Sequence, residues 1–354
     1  MPVPSTFKAA FVPGVGEAPS VSERSLAPLN PGEIAVKITA TAINPVDWKI
    51  RDYGFFIKEW PTILGTDGAG EVVALGPETS RFAIGDRVFF QGILGNKDSS
   101  TFQQYSKIPE ALASKTPQNI TDEEAAGISV TTVCDTVGFY DKTGQGLAAP
   151  WDEGGDKVGN GKAVVVLGGS SSVGQYAIQL ARLSGFDRIV TNSSPAHHEF
   201  LKKLGAHVVL DRSKATVEDF AEAIGEVPLE FVFDAISELE TQILGVKLLQ
   251  EKNVSNAQLI TVTAVQEQAR ELGQSKEPKV TIKNVLGLGS HPDLRYLSEA
   301  LAKALGGEDG WLAKGLFIPN RPSVVPGGLA KLQEALNKVK EGVSGQKVII
   351  KPQE

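Results

Sequence analysis

The chain is poor in sulfur: one cysteine, Cys134, and one methionine stand among 354 residues. A single thiol excludes an intramolecular disulfide and any thiolate-rich metal site. Cys134 reads instead as a small buried hydrophobe. No apolar run is long enough to span a bilayer. No charged segment followed by an apolar one stands at Met1, so export is not expected and a cytoplasmic location is. Excess positive charge is also missing. The net charge is −7 with the signs interspersed, which argues against nucleic acid or an anionic membrane as partner. No internal repeat or low-complexity tract occurs. With 41% hydrophobic and 22% charged residues, the composition is that of a globular protein long enough for two cores.

The most informative stretch runs from Lys162 to Ser194, KAVVVLGGSSSVGQYAIQLARLSGFDRIVTNSS. Ala163 to Leu167 is a short apolar run, expected of a parallel strand covered on both faces. Gly168, Gly169, Ser170, Ser171 and Ser172 then turn the chain into a helix whose first turn holds Val173 and Gly174. Such a turn aims backbone N–H groups and the positive end of a helix dipole at one point. A dinucleotide pyrophosphate is the usual occupant. The alternative is an ordinary tight strand-to-helix turn of an α/β protein.

Measured against G-x-G-x-x-G, the chain offers Gly169-x-Ser171-x-x-Gly174, with serine at the middle glycine. The hydroxyls of Ser170, Ser171 and Ser172 can donate to phosphate in compensation. A second strand, Arg188 to Asn192, ends roughly 20 residues past the glycines, where a ribose-binding residue would stand. Asn192, Ser193 and Ser194 occupy that place without a carboxylate. An acid there would favour NAD and repel a 2′-phosphate. Small hydroxyls beside His197, Lys202 and Arg212 admit one, so NADPH is the expected cofactor.

The first third is β-rich. Ile34, Val36, Ile38 and Ala40 alternate as in a half-buried strand, and short apolar segments around Val72 and Val88 follow between glycines. This pattern predicts a compact, barrel-like β domain. Thr121 and Glu124 form a capping-box pair ahead of a helix expected to reach about Phe139. The glycine-rich segment Asp141 to Lys162 reads as a variable surface loop. Beyond Ala163, strands and helices alternate. Ser194 and Pro195 start a helix closed by Gly205, Val208–Leu210 is a strand, and Thr216 with Asp219 caps a helix. Phe231–Phe233, Leu259–Val262 and Val280–Leu286 complete a doubly wound parallel sheet. Leu329, Leu332, Leu336 and Val339 mark an amphipathic helix, and Val348–Ile350 a last strand. The tail is expected to pack back on the first domain. The expected division is 1–125, 126–288 and 289–354, the last completing the first.

Three segments carry a resemblance: AINPVDWKIR at Ala42–Arg51, LGTDGAGEVVALG at Leu64–Gly76 and VLGGSSSVGQYAIQLARLSG at Val166–Gly185. With GAHVVLD and the closing SGQKVII, they make nearly the whole chain resemble the medium-chain dehydrogenase/reductase superfamily, in its zinc-free, quinone-oxidoreductase-like branch. The cast is similar to fungal ene-reductases and trans-acting enoyl reductases. The resemblance implies a Rossmann nucleotide-binding domain and a GroES-like β-barrel catalytic domain. Zinc alcohol dehydrogenases place a cysteine where Asn44 stands, a histidine at Thr66, and a third ligand at about Ile128. None of these residues supplies the N or S donors of a catalytic zinc, and Phe90 to Lys107 lacks the cysteines of a structural one. No metal is therefore expected.

By the same resemblance Lys49 is the first candidate for an active-site cation, able to order the cofactor, to donate to an enolate oxygen, or both. Asp47 either orients it or caps a turn. Tyr53 is a possible proton donor, or pocket wall with Phe55, Phe56 and Trp60. Thr131 and Thr132 either contact the carboxamide of the nicotinamide or bond back to their own helical turn. Val262, Thr263, Leu286 and Gly287 match family positions at the ends of later strands, where open sheets bind ligands. Arg212 either pairs with a 2′-phosphate or lies in solvent. The activity implied is NADPH-dependent reduction of a carbon–carbon double bond conjugated to a carbonyl. A quinone reductase and a non-catalytic NADPH-binding sensor or scaffold are the alternatives. A small conjugated carbonyl compound is the expected partner, acting on a monomer or homodimer.

Overall fold

The computed structural model describes residues 3–354. They gather into two units, one formed by the chain up to Val130 together with Leu288–Glu354, the other by Thr131–Gly287. The junctions fall at 130/131 and 287/288, against 125/126 and 288/289 read from the sequence.

The second unit is built on a six-stranded sheet. Its spatial order is Val208–Asp211, Arg188–Ser193, Ala163–Leu167, Leu229–Asp234, Gln258–Thr261 and Thr281–Asn284. All neighbours are parallel. The chain steps outward on one side of Ala163–Leu167, then returns to fill the other side. This reversal leaves a crevice at the carboxyl ends of the central strands. Every residue of Ala163–Leu167 is buried, which is why its sequence is continuously apolar rather than alternating. Val165, Val190, Phe220, Val232, Val246 and Leu259 share one core cluster.

The last strand of this sheet is shorter than expected, while Gln258–Thr261 is shifted by one residue from Leu259–Val262. The edge strand stops at Asn284, and Leu286 beyond it is exposed. Around Pro195 the chain forms a 3-10 turn, Pro195–His197, before the helix His198–Leu204. Ser194 makes no side-chain cap there. The Asp141–Lys162 segment runs over the surface with many exposed residues, and a few contacts anchor it. Trp151 stacks edge-on to Tyr140 at 5.7 Å, Ala149 is buried, and Lys283 Nζ donates to the Gly144 carbonyl at 2.6 Å.

The first unit contains a seven-stranded sheet and a three-stranded one. Strand Glu33–Ala42 is the axis of the larger sheet, pairing antiparallel with Asp67–Leu75, Tyr105–Pro109 and Lys347–Ile350. Because Ile349 and Ile350 face Ala42 and Thr41 in register, the C-terminal segment is an integral strand of this unit. The helix Leu332–Glu341 buries Leu332, Ala335 and Leu336 in the same core cluster as Ile43, Ile50 and Val348. Thr121 and Glu124 do form a reciprocal cap, at 2.8 and 3.2 Å. The helix they open, Asp122–Ala125, nevertheless ends after one turn, and a second runs over Ser129–Tyr140. Gly127 stands between them, where an added Cβ would lie 2.9 Å from Lys347 Cγ. Close packing with a distant residue thus accompanies the break that local propensity did not reveal.

Candidate functional site

The Gly168–Gly174 turn is shaped by what its glycines leave out. Gly168 has φ +81°, and an added Cβ would lie 2.3 Å from Ile236 Cγ1. At Gly169 it would meet Thr191 Oγ1 at 2.2 Å, and at Gly174 the Gly168 carbonyl oxygen at 2.3 Å. At Gly174 the obstacle is backbone, so turn and helix approach there at backbone distance, while at Gly168 and Gly169 a neighbouring side chain would have to shift. Ser171 caps the helix Ser172–Leu183, its Oγ accepting from the Gly174 amide at 2.9 Å. That occupies its acceptor role and leaves its hydroxyl proton to donate. The amides of Ser172 and Val173 belong to the first helical turn, which has no intrahelical acceptor. Half-buried residues 170–173 thus present N–H and O–H donors on one side, a fit for a phosphate.

At the ribose end, Asn192 is engaged elsewhere. Its Oδ1 accepts from the Gly168 amide at 2.8 Å and its carbonyl from the Gly169 amide at 3.0 Å. Asn192 is therefore a brace for the turn. Ser193 is buried and donates to the Ser194 carbonyl. His197 ends the 3-10 turn. Lys202 is paired with Glu199 at 3.0 Å. Arg212 is exposed, its amide bonded to the Ser193 carbonyl at 3.0 Å, and its guanidinium has no acceptor among the described residues.

The other side of the crevice holds residues that sequence reasoning missed. Asp234 ends the strand beside Leu167, and its Oδ1 accepts from the amides of Ile236 and Ser237 at 3.0 and 2.8 Å. Its Oδ2 is buried without a partner, and burial raises its pKa to about 6. Ser237, with φ +60° in a region costly for a non-glycine residue, ties two strand ends together. Its Oγ accepts from the Val262 amide at 2.9 Å, and its carbonyl from Thr263 Oγ1 at 3.0 Å. Val262 and Thr263 are thus fixed by Ser237. The only sequence signal was the D-A-I-S run directly after an apolar strand. Gly287 follows the exposed Leu286 and donates its amide to the Cys134 sulfur. Burial holds that thiol protonated. Thr131 and Thr132 are both buried on the helix Ser129–Tyr140.

In the first unit, Lys49 and Tyr53 lie on the helix Pro45–Tyr53. Asp47 does not reach Lys49: its Oδ2 accepts from the Asn44 amide at 2.7 Å, capping the turn that starts the helix. Asp47 is fully buried, with Oδ1 unpartnered. Burial lifts its pKa to about 7, against the pull of the Asn44 amide. Lys49 is half-buried, its Nζ 5.7 Å from the centre of the Trp48 ring, and it has no carboxylate partner among the described residues. Tyr53 is 59% exposed and heads a row of tilted rings with Phe55 and Phe56.

Beneath this helix lies a buried polar cluster. Lys347 Nζ donates to Asn44 Oδ1 at 2.6 Å and lies 3.5 Å from Asp67 Oδ2. Asn44 Nδ2 donates to the same Asp67 oxygen at 2.9 Å, and the Val130 amide donates to Asp67 Oδ1 at 2.7 Å. Thr66 Oγ1 is buried without a partner. The cluster thus brings together an ammonium, an amide and a carboxylate already engaged by both. Among the described residues no three His, Cys, Asp or Glu side chains are grouped to hold a metal.

A two-unit architecture, with a doubly wound parallel sheet and a separate β unit, is that of an oxidoreductase fold that implies a nicotinamide cofactor. The chain belongs to the medium-chain dehydrogenase/reductase superfamily. The alcohol dehydrogenase GroES-like domain profile matches residues 30–118, and the zinc-binding dehydrogenase profile residues 172–256. The chain is 31% identical to the trans-enoyl reductase himH of Aspergillus japonicus, over 90% of this chain and 89% of that one. An alcohol dehydrogenase superfamily protein from Novosphingobium aromaticivorans shares the fold at a TM-score of 0.77, with 23% identity, covering 98% of this chain and 99% of the other. The quinone oxidoreductase from Coxiella burnetii does so at 0.71, with 21% identity and coverage of 98% and 99%. No helix among the described residues is long and apolar enough to cross a membrane.

Proposed function

We propose that this protein is an NADPH-dependent reductase of carbon–carbon double bonds conjugated to a carbonyl, working without zinc. The observation that carries the reading is the Asn44–Asp67–Lys347 cluster, a protein cation with its acceptors standing where a metal-dependent relative would need ligands. Without a Lewis acid, an alcohol oxygen is poorly activated, whereas an enone needs only donors at the oxygen where charge develops. The similarity to a trans-enoyl reductase supports the same choice. When bound, the cofactor supplies the hydride that adds to the β-carbon.

The remaining tasks belong to side chains. Lys49, without a carboxylate to neutralise it, donates to the carbonyl oxygen as it becomes an enolate. Its null effect on folding is expected, because it forms no ion pair. Tyr53 delivers a proton to the α-carbon, or water does. Thr131 and Thr132 hold the carboxamide, and the donors of residues 170–174 hold the pyrophosphate. Val262, Thr263, Leu286 and Gly287 line the nicotinamide end. Ser194, His197 and Arg212 receive the 2′-phosphate, with Ser193 behind them, its hydroxyl turned to the Ser194 carbonyl. The missing carboxylate at Ser193 and the unpaired Arg212 favour NADPH over NADH.

Consumption of NADPH with alkenals, enones, quinones and simple alcohols tests the reading. Enones should turn over fastest, and Lys49→Ala should lose on the order of a hundredfold in kcat/KM. Faster quinone reduction would favour the quinone reductase. Nucleotide binding without turnover of any acceptor would favour a sensor.

A further inference from the structure

Where the Arg188–Ser193 and Val208–Asp211 strands end, the second unit holds a carboxylate that the proposed function does not use. Ser193 and Asp211 are register partners on these parallel strands. Asp211 therefore stands one strand over from the place where an acid of a dinucleotide fold accepts ribose hydroxyls. Its Oδ1 is already taken. Ser213 donates to it twice, through the amide at 3.0 Å and the hydroxyl at 2.8 Å. Lys214 Nζ lies 3.8 Å from Oδ2. The Asp211 carbonyl accepts from the amides of Lys214 and Ala215 at 3.0 and 2.9 Å, which closes the turn around Ser213. Beside it the exposed Arg212 guanidinium is left without an acceptor among the described residues, while Lys202 is held by Glu199.

We propose that Ser213 sets the nucleotide preference by holding the Asp211 carboxylate in this turn, so that Asp211 does not accept a ribose hydroxyl and Arg212 meets the 2′-phosphate. This rests on the NADPH reading. Without the Ser213 hydroxyl the carboxylate keeps only the amide bond at 3.0 Å, and a carboxylate free to turn would do two things at once. It would offer a charge-assisted hydrogen bond to the free 2′-hydroxyl of NADH, and it would carry its charge toward the 2′-phosphate of NADPH. Both shift preference in the same direction. Ser213 acts through Asp211 and is a positioning residue.

The test uses Ser213→Ala, Asp211→Asn and the double variant, in a region exposed enough to fold unchanged, which equal thermal midpoints would verify. Dissociation constants for NADPH and NADH are measured by equilibrium titration at one ionic strength, with 2′,5′-ADP and 5′-AMP as probes lacking nicotinamide. Wild type should prefer NADPH. Ser213→Ala should lower that preference about tenfold, the effect of one charge-assisted hydrogen bond. Adding Asp211→Asn should return it to the wild-type value or above. Arg212→Ala should weaken 2′,5′-ADP and spare 5′-AMP. A wild-type preference that Ser213→Ala leaves intact, or that the double variant does not restore, overturns the assignment of Ser213 alone. Equal wild-type affinities for the two nucleotides overturn the NADPH reading and this inference with it.

Discussion

Lys347 and Asn44, 303 positions apart in the chain, meet at 2.6 Å between Nζ and Oδ1 in the interior of the first unit. The strand Lys347–Ile350 brings the ammonium in from the C-terminal segment, and the cap of the Lys49 helix receives it. Asp67, wholly buried, shares the charge at 3.5 Å. Burial raises the Asp67 pKa, and the Lys347 charge opposes that rise. Removing the cation would strand a buried carboxylate. Lys347→Met should therefore lower stability by about 3–5 kcal/mol, read as a fall in the denaturant midpoint. The Lys347→Met/Asp67→Asn pair should recover a good part of the loss, since both charges then leave together. A double variant no more stable than Lys347→Met would contradict this coupling.

Ser171 offers a finer test of the glycine turn. As helix cap it is worth ~1 kcal/mol against alanine and only a few tenths against glycine. Thermal unfolding should rank wild type and Ser171→Gly close together, with Ser171→Ala below. Nucleotide titration should show Ser171→Ala binding more weakly than Ser171→Gly, because glycine also restores close backbone approach to the pyrophosphate. Equal affinities for the two variants would mean that the 171 backbone does not approach the nucleotide.

Much of this second unit is legible in the sequence. The Ala163–Leu167 strand announces itself because burial on both faces demands an unbroken apolar run, whereas Arg188–Ser193 shows only Ile189 and Val190 before turning polar. The Asn44–Asp67–Lys347 cluster was not legible, because it joins three segments that only the sheet of the first unit brings together. Asn192 looked like a ribose contact by its position, yet its side chain braces Gly168. Ser237 left no periodic signal, since its role is a single backbone conformation bridging two strand ends.

Asp135 supplies a pH prediction. It is fully buried on the helix Ser129–Tyr140, neither carboxyl oxygen has a partner, and burial raises its pKa well above the usual carboxylate range. The folded state therefore binds its proton more tightly than the unfolded chain does. Stability from this group is fully present below the unfolded pKa of about 4 and declines as pH rises toward the folded value, by at most ~1.4 kcal/mol per pH unit. Asp135→Asn, which resembles the neutral acid, should be more stable relative to wild type at pH 8 than at pH 5. Denaturant unfolding at the two values checks this, and a pH-independent difference would show that Asp135 is ionised in the fold.

Hydride transfer to a conjugated alkene without a metal is most directly tested by tracing the hydride itself. The protein, freed of metals by exhaustive chelation, is incubated with NADPH deuterated at the reactive nicotinamide carbon and an α,β-unsaturated ketone, and the product is examined by NMR. The expected result is a saturated ketone carrying deuterium at the β-carbon, formed at the rate seen before chelation. Deuterium at the carbinol carbon of an allylic alcohol, or activity lost on chelation and restored by zinc, would contradict it.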